Sequence, residues 1–186
     1  MKSKSFFYLF AVAAFCVVTA GCEKPKLSEN QEILFECYYL NYASGYQHSG
    51  SIIDKNGNIK IYSQESPYYN TTEGWNFPDD NGFISEESMK ENLEKTDLSD
   101  KKIDLETLQK YAAKILSVKY DDYFVEQTMC DFGAIVNVCY LFNDKTKMYK
   151  QILLSENGDW AKINNHSVAK EIDDWLNTAI WNKVAK

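Results

Sequence analysis

The sequence contains no arginine: all 20 of its basic residues are lysines, set against 27 acidic residues in a chain of 186. The formal net charge is −7. Nucleic-acid binding needs a basic face, and a bidentate grip on phosphate needs a guanidinium group. We therefore expect no nucleic-acid partner. The missing arginine also counts against an enzyme that handles nucleotides.

Histidine is scarce as well, and only His48 and His166 are present. Neither has a second metal-binding side chain three or four residues away, a spacing that zinc sites commonly use. The sequence also lacks a glycine-rich phosphate loop and the Gly-x-Ser-x-Gly turn of serine hydrolases. These absences predict no metal, no cofactor and no identifiable catalytic residue. A hydrolase that uses a Cys–His pair or carboxylates, brought together by the fold, is the alternative.

Three of the five cysteines, Cys37, Cys130 and Cys139, follow the N-terminal region. Three is an odd number, so they form at most one disulfide among themselves and leave one thiol free. Cys130 and Cys139 flank a predicted turn at Gly133 without standing opposite each other, which makes Cys37 the better partner for one of them. Burial of the cysteines as inert thiols is the alternative.

The N-terminal region carries a short positive segment, Lys2 and Lys4, followed by an uncharged run of 15 residues from Phe6 to Ala20. A membrane-spanning helix needs about 20 apolar residues, whereas the apolar region of a signal peptide needs roughly 7–15. The run is closed by small residues, as a signal peptidase requires. The pattern therefore predicts a cleaved leader.

The end of this run, Thr19-Ala20-Gly21-Cys22, resembles a bacterial lipobox. The resemblance implies cleavage between Gly21 and Cys22 and attachment of lipid to the Cys22 thiol. Thr19 departs from the pattern, which usually has leucine at that position. The alternative is an ordinary secretory leader in which Cys22 is incidental.

The lipobox resemblance implies three parts: a removed signal peptide at 1–21, a polar tether at 22–31 and a single domain at 32–186. Two or three acyl chains hold a protein stably at a membrane surface. We therefore expect a lipid-anchored protein of the bacterial cell envelope, outside the cytoplasm, with the membrane as one partner. The body loosely resembles small uncharacterised bacterial envelope lipoproteins, a resemblance that implies no activity.

The body begins with strand-like runs at 32–42, 46–53 and 59–63, and Asn56-Gly57 predicts a hairpin between the last two. Helices are predicted to begin at Ser85 and at Asp104. Further strands are predicted at 120–129, 134–142 and 148–154, with turns at Gly133 and at 156–159. An amphipathic helix from Asn165 to Asn182 closes the chain. Because strands and helices come in groups, we expect an α+β fold with helices packed on one face of an antiparallel sheet.

Residues 64–84 are predicted to form a long loop that contains Tyr68, Tyr69, Trp75 and Phe77 among proline, glycine and asparagine. Loops of this length are often functional, and exposed aromatic rings can stack on sugars or dock a protein. The alternative is that the rings fold back over the sheet. Together these features predict a non-catalytic binding or interaction domain with a glycan or protein partner. An extracytoplasmic hydrolase and an inhibitor of a host or competitor enzyme are the alternatives.

Overall fold

The computed structural model describes residues 26–43, 45–66, 74–120, 123–128 and 133–181. The predictions on the leader, Cys22, Tyr68, Tyr69 and Cys130 lie outside these residues. In the described part, antiparallel strands join into one nine-stranded sheet that packs with helices. The predicted α+β class is therefore confirmed. None of the described helices is both long and apolar enough to cross a membrane.

The strand order across the sheet is β5-β3-β2-β1-β7-β8-β9-β6, and β4 also pairs with β8. The strands are β1 (Ile33–Asn41), β2 (Tyr46–Asp54), β3 (Asn58–Ser66), β4 (Phe83–Ser85), β5 (Asp97–Lys102), β6 (Tyr123–Gln127), β7 (Ala134–Asn143), β8 (Met148–Gly158) and β9 (Trp160–Asn164). The helices are α1 (Glu86–Leu93), α2 (Leu105–Ile115) and α3 (Ser167–Leu176), and a π-helical turn follows at Asn177–Trp181.

Local hydrogen bonds form the predicted hairpin between β2 and β3. Asp54 Oδ1 accepts from the backbone N–H groups of Asn56 and Asn58, each at 2.9 Å. Gly57 adopts a φ of 78°, a left-handed conformation that glycine reaches without strain. The Asp54 carboxylate therefore stabilises the turn that connects β2 and β3.

The two predicted helix starts are also confirmed. Ser85 Oγ accepts from the backbone N–H of Ser88 at 3.0 Å at the start of α1. The Asp104 carboxylate accepts from the backbone N–H of Thr107 at 2.9 Å at the start of α2. Hydrogen bonds with Thr107 lower the pKa of Asp104. Each cap satisfies backbone donors that the first helical turn leaves unpaired.

The C-terminal helix is shorter than predicted, because its regular part ends at Leu176. Asn137 of β7 donates through Nδ2 to Asp173 and Asn177, and its Oδ1 accepts from Trp181 Nε1. These three partners are spaced four residues apart. A π-helical turn is wider than an α-helical turn, so it keeps residues at this spacing on the side that faces Asn137.

The strand pairing beyond residue 120 was not predicted from the sequence. β6 pairs with β9, whereas β7 lies between β1 and β8. β8 continues through the predicted turn to Gly158, and β4, β5 and β9 were not predicted. A Cβ atom on Gly158 would lie 1.8 Å from the carbonyl oxygen of Gly133, so this glycine permits a close backbone approach within the sheet.

The sheet has two differently covered faces. Along β1, Phe35 and Cys37 point to one side, here called the helix face, and Glu36 and Tyr38 point to the other, here called the open face. On the helix face α2 and α3 bury Leu108, Ile115, Ile172 and Leu176 against the sheet. The prediction that helices pack on one face of the sheet therefore holds for α2 and α3. The remaining helix, α1, contributes Met89 to the cluster of the open face.

Candidate functional site

A buried carboxylate lies at the centre of the open face. Glu36 accepts a hydrogen bond from Tyr62 Oη at 2.6 Å on one oxygen and from Tyr140 Oη at 2.5 Å on the other. Burial raises the pKa of Glu36, and the two phenolic hydrogen bonds offset that rise in part. The carboxylate is therefore held between two donors that come from strands on either side of β1.

Tyr62 reaches Glu36 across an intervening strand because residue 50 has no side chain. Gly50 of β2 stands opposite Tyr38 of β1 and opposite Tyr62 of β3. A Cβ atom on Gly50 would lie 2.7 Å from Tyr62 Oη and 2.6 Å from the carbonyl oxygen of Cys37. The glycine therefore leaves the space in which the phenol crosses β2.

His48 lies beside Tyr62 and Glu36 and is only 1% exposed. Its Nε2 is 3.2 Å from Tyr62 Oη. Because Tyr62 uses its hydrogen on Glu36, we assign the proton of His48 to Nε2, which then donates to Tyr62. The Nδ1 atom has no hydrogen-bond partner within the described part of the chain. Burial lowers the pKa of His48 to about 4, so the ring is neutral at neutral pH.

Aromatic rings enclose His48. Tyr62 and Trp75 stack on each other at 4.1 Å, and the rings of Trp75 and Phe77 have their centroids 5.3 and 5.1 Å from that of His48. The cavity at this position measures about 10 Å³, room for about one water molecule. We call Glu36, His48, Tyr62, Tyr140 and Gln151 the polar cluster. Gln151 belongs to it because its Nε2 donates to Tyr140 Oη at 2.9 Å.

An open groove of about 420 Å³ lies next to the polar cluster on the same face. Five strands supply its floor, and the segment 77–82 together with Tyr120 supplies its walls. Phe77 and Gln151 line both the groove and the small cavity. The floor side chains are those of Tyr38, Tyr123, Val136, Gln151, Leu153, Glu156 and Lys162.

The groove presents aromatic rings to solvent, since Tyr120 is 57% exposed and Phe77 is 38% exposed. Lys150 Nζ lies 5.4 Å from the centroid of Tyr120 and 4.6 Å from that of Phe83, within cation–π distance of both rings. Lys162 Nζ lies 5.1 Å from the centroid of Tyr123. These contacts fix rings of the wall and the floor in place.

The charges of the groove nearly balance. Asp79, Asp80 and Glu156 face Lys150 and Lys162, three acids against two bases, for a formal sum of −1. Partial burial raises the pKa of Glu156, and the nearby charge of Lys162 lowers it by less. Asp79 has a structural role, because its Oδ1 accepts from the backbone N–H groups of residues 81 and 83 and thereby holds the wall.

The structure separates the four aromatic residues predicted for a binding loop. Phe77 forms part of the groove wall. Trp75 is 7% exposed and belongs to the core of the open face, as the alternative of rings folded over the sheet predicts. Tyr68 and Tyr69 lie outside the described residues and stay predictions. Sequence reasoning missed Tyr38, Tyr120 and Lys162, because residues so far apart in the chain give no common local signal.

The described cysteines lie on the wrong side of the sheet for a Cys–His pair with His48. Cys37 and Cys139 are free, fully buried thiols on the helix face, and burial raises the pKa of both. No disulfide joins these two cysteines, so the interpretation as buried, inert thiols describes them and a bridge from Cys37 to Cys139 is wrong; Cys130 lies outside the described residues. His166 caps α3 without a side-chain hydrogen bond to the helix. Nowhere in the described ranges do three histidine, cysteine or acidic side chains cluster as metal ligands would.

Comparison of the chain with protein-family models, with curated proteins and with solved structures found no match. No relative therefore supplies an activity to carry over to this chain. The groove, with the polar cluster next to it, is the candidate functional site.

Proposed function

We propose that this protein is a lipid-anchored binding protein of the bacterial cell envelope, and that its domain holds a ligand in the groove without catalysing a reaction. The observation that carries the proposal is the groove itself: exposed aromatic and polar side chains on a sheet face that is rigid because its strands are paired. Binding sites are commonly concave surfaces of this kind, with volumes of roughly 300–1,000 Å³.

Binding is favoured over catalysis because of where the proton-transfer groups lie. A general base must come within hydrogen-bond reach of the substrate. His48 and Glu36 are buried beneath Phe77, beside a cavity with room for about one water molecule. The groups best suited to acid–base work are thus enclosed, while the solvent-facing groove offers surfaces for contact.

The anchored location rests on the N-terminal sequence. The uncharged run Phe6–Ala20 followed by Gly21-Cys22 supports cleavage and lipid attachment at Cys22. We expect the full-length chain to partition into the membrane fraction and to carry a lipid mass on an N-terminal peptide that begins with Cys22. The variant Cys22→Ser should lose both properties. A Cys22→Ser protein that stays equally processed and anchored would overturn this part of the proposal.

The groove is tested with the purified full-length protein and a matched pair of aromatic substitutions. The probes are immobilised peptidoglycan, surface polysaccharide and denatured casein. We expect at least one probe to retain the protein and expect Tyr120→Ala to abolish that retention. Phe124→Ala is the control, because Phe124 is a 47% exposed ring on β6 that points to the side opposite Tyr123. Absence of retention by all three probes, or equal loss in both variants, contradicts a binding role for the groove.

A further inference from the structure

We infer that the ligand of the groove is an uncharged oligosaccharide. This inference rests on the proposed function, because it names the ligand class of the same site. Four properties of the groove support it: a floor made mostly of inner strands of the sheet, exposed aromatic rings, a balanced set of polar side chains, and wall residues that make contacts within the protein.

The first property concerns the backbone of the floor. β1 lies between β2 and β7, β8 lies between β7 and β9, and β9 lies between β8 and β6. The paired backbone N–H and C=O groups of these strands are therefore engaged within the sheet, although the pairing between β8 and β9 is limited to Ser155 with Ile163 and Glu156 with Lys162. A peptide that binds by strand addition needs a free edge, and in the floor only β6, the outer strand of the sheet, offers one, on its side away from β9. Over the inner strands of the floor, recognition must come from side chains.

The second property is the set of exposed rings. The face of an aromatic ring carries partial negative charge, and the C–H groups on one face of a sugar ring are weakly positive and apolar. Tyr120 and Phe77 present ring surface at the wall of the groove. Lys150 Nζ lies within cation–π distance of the Tyr120 ring, which favours the position that this ring has beside the groove.

The third property is the polar lining. Sugar hydroxyls both donate and accept, so a suitable site offers both acceptors and donors. Asp80 and Glu156 supply acceptors, Lys162 supplies donors, and the amide of Gln151 has one of each. The formal sum of −1 does not favour an anionic ligand. The chain has no arginine with which to grip phosphate or carboxylate in a bidentate manner.

The fourth property is preorganisation. The wall is held by the bonds of Asp79 to backbone N–H groups and by Lys150 between Phe83 and Tyr120. The amide of Gln151 is oriented by its bond to Tyr140. Sugar ligands gain little from each hydroxyl because water competes for the same hydrogen bonds. A site that loses little side-chain freedom on binding offsets this weakness.

The experiment is calorimetric titration of the full-length protein in detergent with five probes. Three are neutral: maltotetraose, mannotetraose and tetra-N-acetylchitotetraose. One is anionic, tetragalacturonate, and one is a tetra-alanine peptide with an acetylated N-terminus and an amidated C-terminus, so that it carries no charge. We expect saturable binding of at least one neutral probe that changes less than about twofold between low and high salt, because salt screens only interactions between charges.

The variants test whether the rings make the contact. Tyr120→Ala should weaken binding about tenfold or more, the size of effect seen when a central contact is truncated. Tyr120→Phe keeps the ring and should retain affinity within about twofold. Phe124→Ala should bind as the unmodified protein does. Binding of a neutral sugar that is unaffected by Tyr120→Ala would overturn the inference.

The probes also separate the two proposals. Binding of tetragalacturonate or of the peptide, but of no neutral sugar, with loss on Tyr120→Ala, would overturn the sugar assignment and leave the groove as a binding site. If neither these probes nor the immobilised polymers and casein bind in a manner that depends on Tyr120, both the sugar assignment and the binding function of the groove are wrong.

Discussion

Tyr140 donates its hydroxyl hydrogen to the buried carboxylate of Glu36, with 2.5 Å between the two oxygens. The same Tyr140 oxygen accepts from Gln151 Nε2, and Gln151 lines the groove. A carboxylate in the core is thus connected through the Tyr140 hydroxyl to the side chain of Gln151, which lines the groove. The connection orients the Gln151 amide with its nitrogen toward Tyr140.

Replacing Glu36 with alanine should be among the most destabilising substitutions on the open face. It would leave the hydroxyls of Tyr62 and Tyr140 without their acceptor and open a cavity, at a cost of about 3 kcal/mol in the free energy of unfolding. Glu36→Gln should cost less, because the amide oxygen still accepts one of the two bonds. Urea unfolding measures the free energy of unfolding of both variants.

Glu126→Ala, at an exposed position of β6, is the control and should change stability by less than about 0.5 kcal/mol. Equal stability of Glu36→Ala and Glu126→Ala would contradict a structural role for the cluster.

A methyl group at residue 50 should displace Tyr62 from Glu36. Gly50→Ala places its Cβ within 2.7 Å of Tyr62 Oη, and overpacking of this kind costs about 1–3 kcal/mol. Tyr62→Phe removes one of the atoms with which the new methyl group collides, the phenolic oxygen, and leaves the contact with the carbonyl oxygen of Cys37. We therefore expect the double variant to lose less stability than the sum of the two single variants, by denaturant unfolding of all three. Ser63→Ala, at an exposed position of β3, serves as the control. Strict additivity would show that the phenol does not need the space above Gly50.

The parts of the fold that the sequence predicts are those decided by residues close together in the chain. The turn at Asp54 and Gly57 is made by hydrogen bonds that span at most four residues, and so are the helix starts at Ser85 and Asp104. The pairing of β6 with β9 has no such local cause. It joins Tyr123 to residue 164 through contacts that only the assembled sheet creates.

The candidate site shows the same division. Phe77 was found because it belongs to a segment rich in aromatic residues, whereas Trp75 of that segment is packed in the core. Tyr120 and Lys162 meet at the groove only after β6, β8 and β9 have been placed. The sequence does carry one signal for the polar cluster: Glu36 is a single charged residue between Phe35 and Cys37, in a run otherwise suited to a buried strand.

The two described cysteines should resist alkylation in the folded protein. Burial on the helix face removes Cys37 and Cys139 from solvent and raises the pKa of both thiols, so little of the reactive thiolate forms. We expect iodoacetamide at pH 8 to leave the peptides that contain them unmodified in native protein and to modify both in urea. Peptide mass spectrometry assigns each site separately. Rapid native labelling of either peptide would contradict the burial of that residue.

The pH dependence of stability should carry opposite contributions from His48 and Glu36. The pKa of His48 is lowered from 6.5 to about 4 in the folded state by burial, so its stabilising contribution is complete above pH 6.5 and is lost as the pH falls toward 4. A shift of this size corresponds to about 3 kcal/mol. The pKa of Glu36 is raised above 4.5 by burial, so protonation of Glu36 adds stability as the pH falls through its folded pKa toward 4.5.

Two variants separate these contributions in urea unfolding between pH 7 and pH 4.5. His48→Gln removes the group that loses stability on acidification, so its free energy of unfolding should fall less steeply with decreasing pH than that of the unmodified protein. Glu36→Gln removes the group that gains stability, so its free energy of unfolding should fall more steeply. The slopes of the two profiles should therefore deviate in opposite directions from the unmodified chain. Parallel profiles for all three proteins would mean that neither side chain has the buried environment described for it. A flatter profile for His48→Gln, with an unchanged profile for Glu36→Gln, would mean that the pH dependence of stability comes from His48 and not from Glu36.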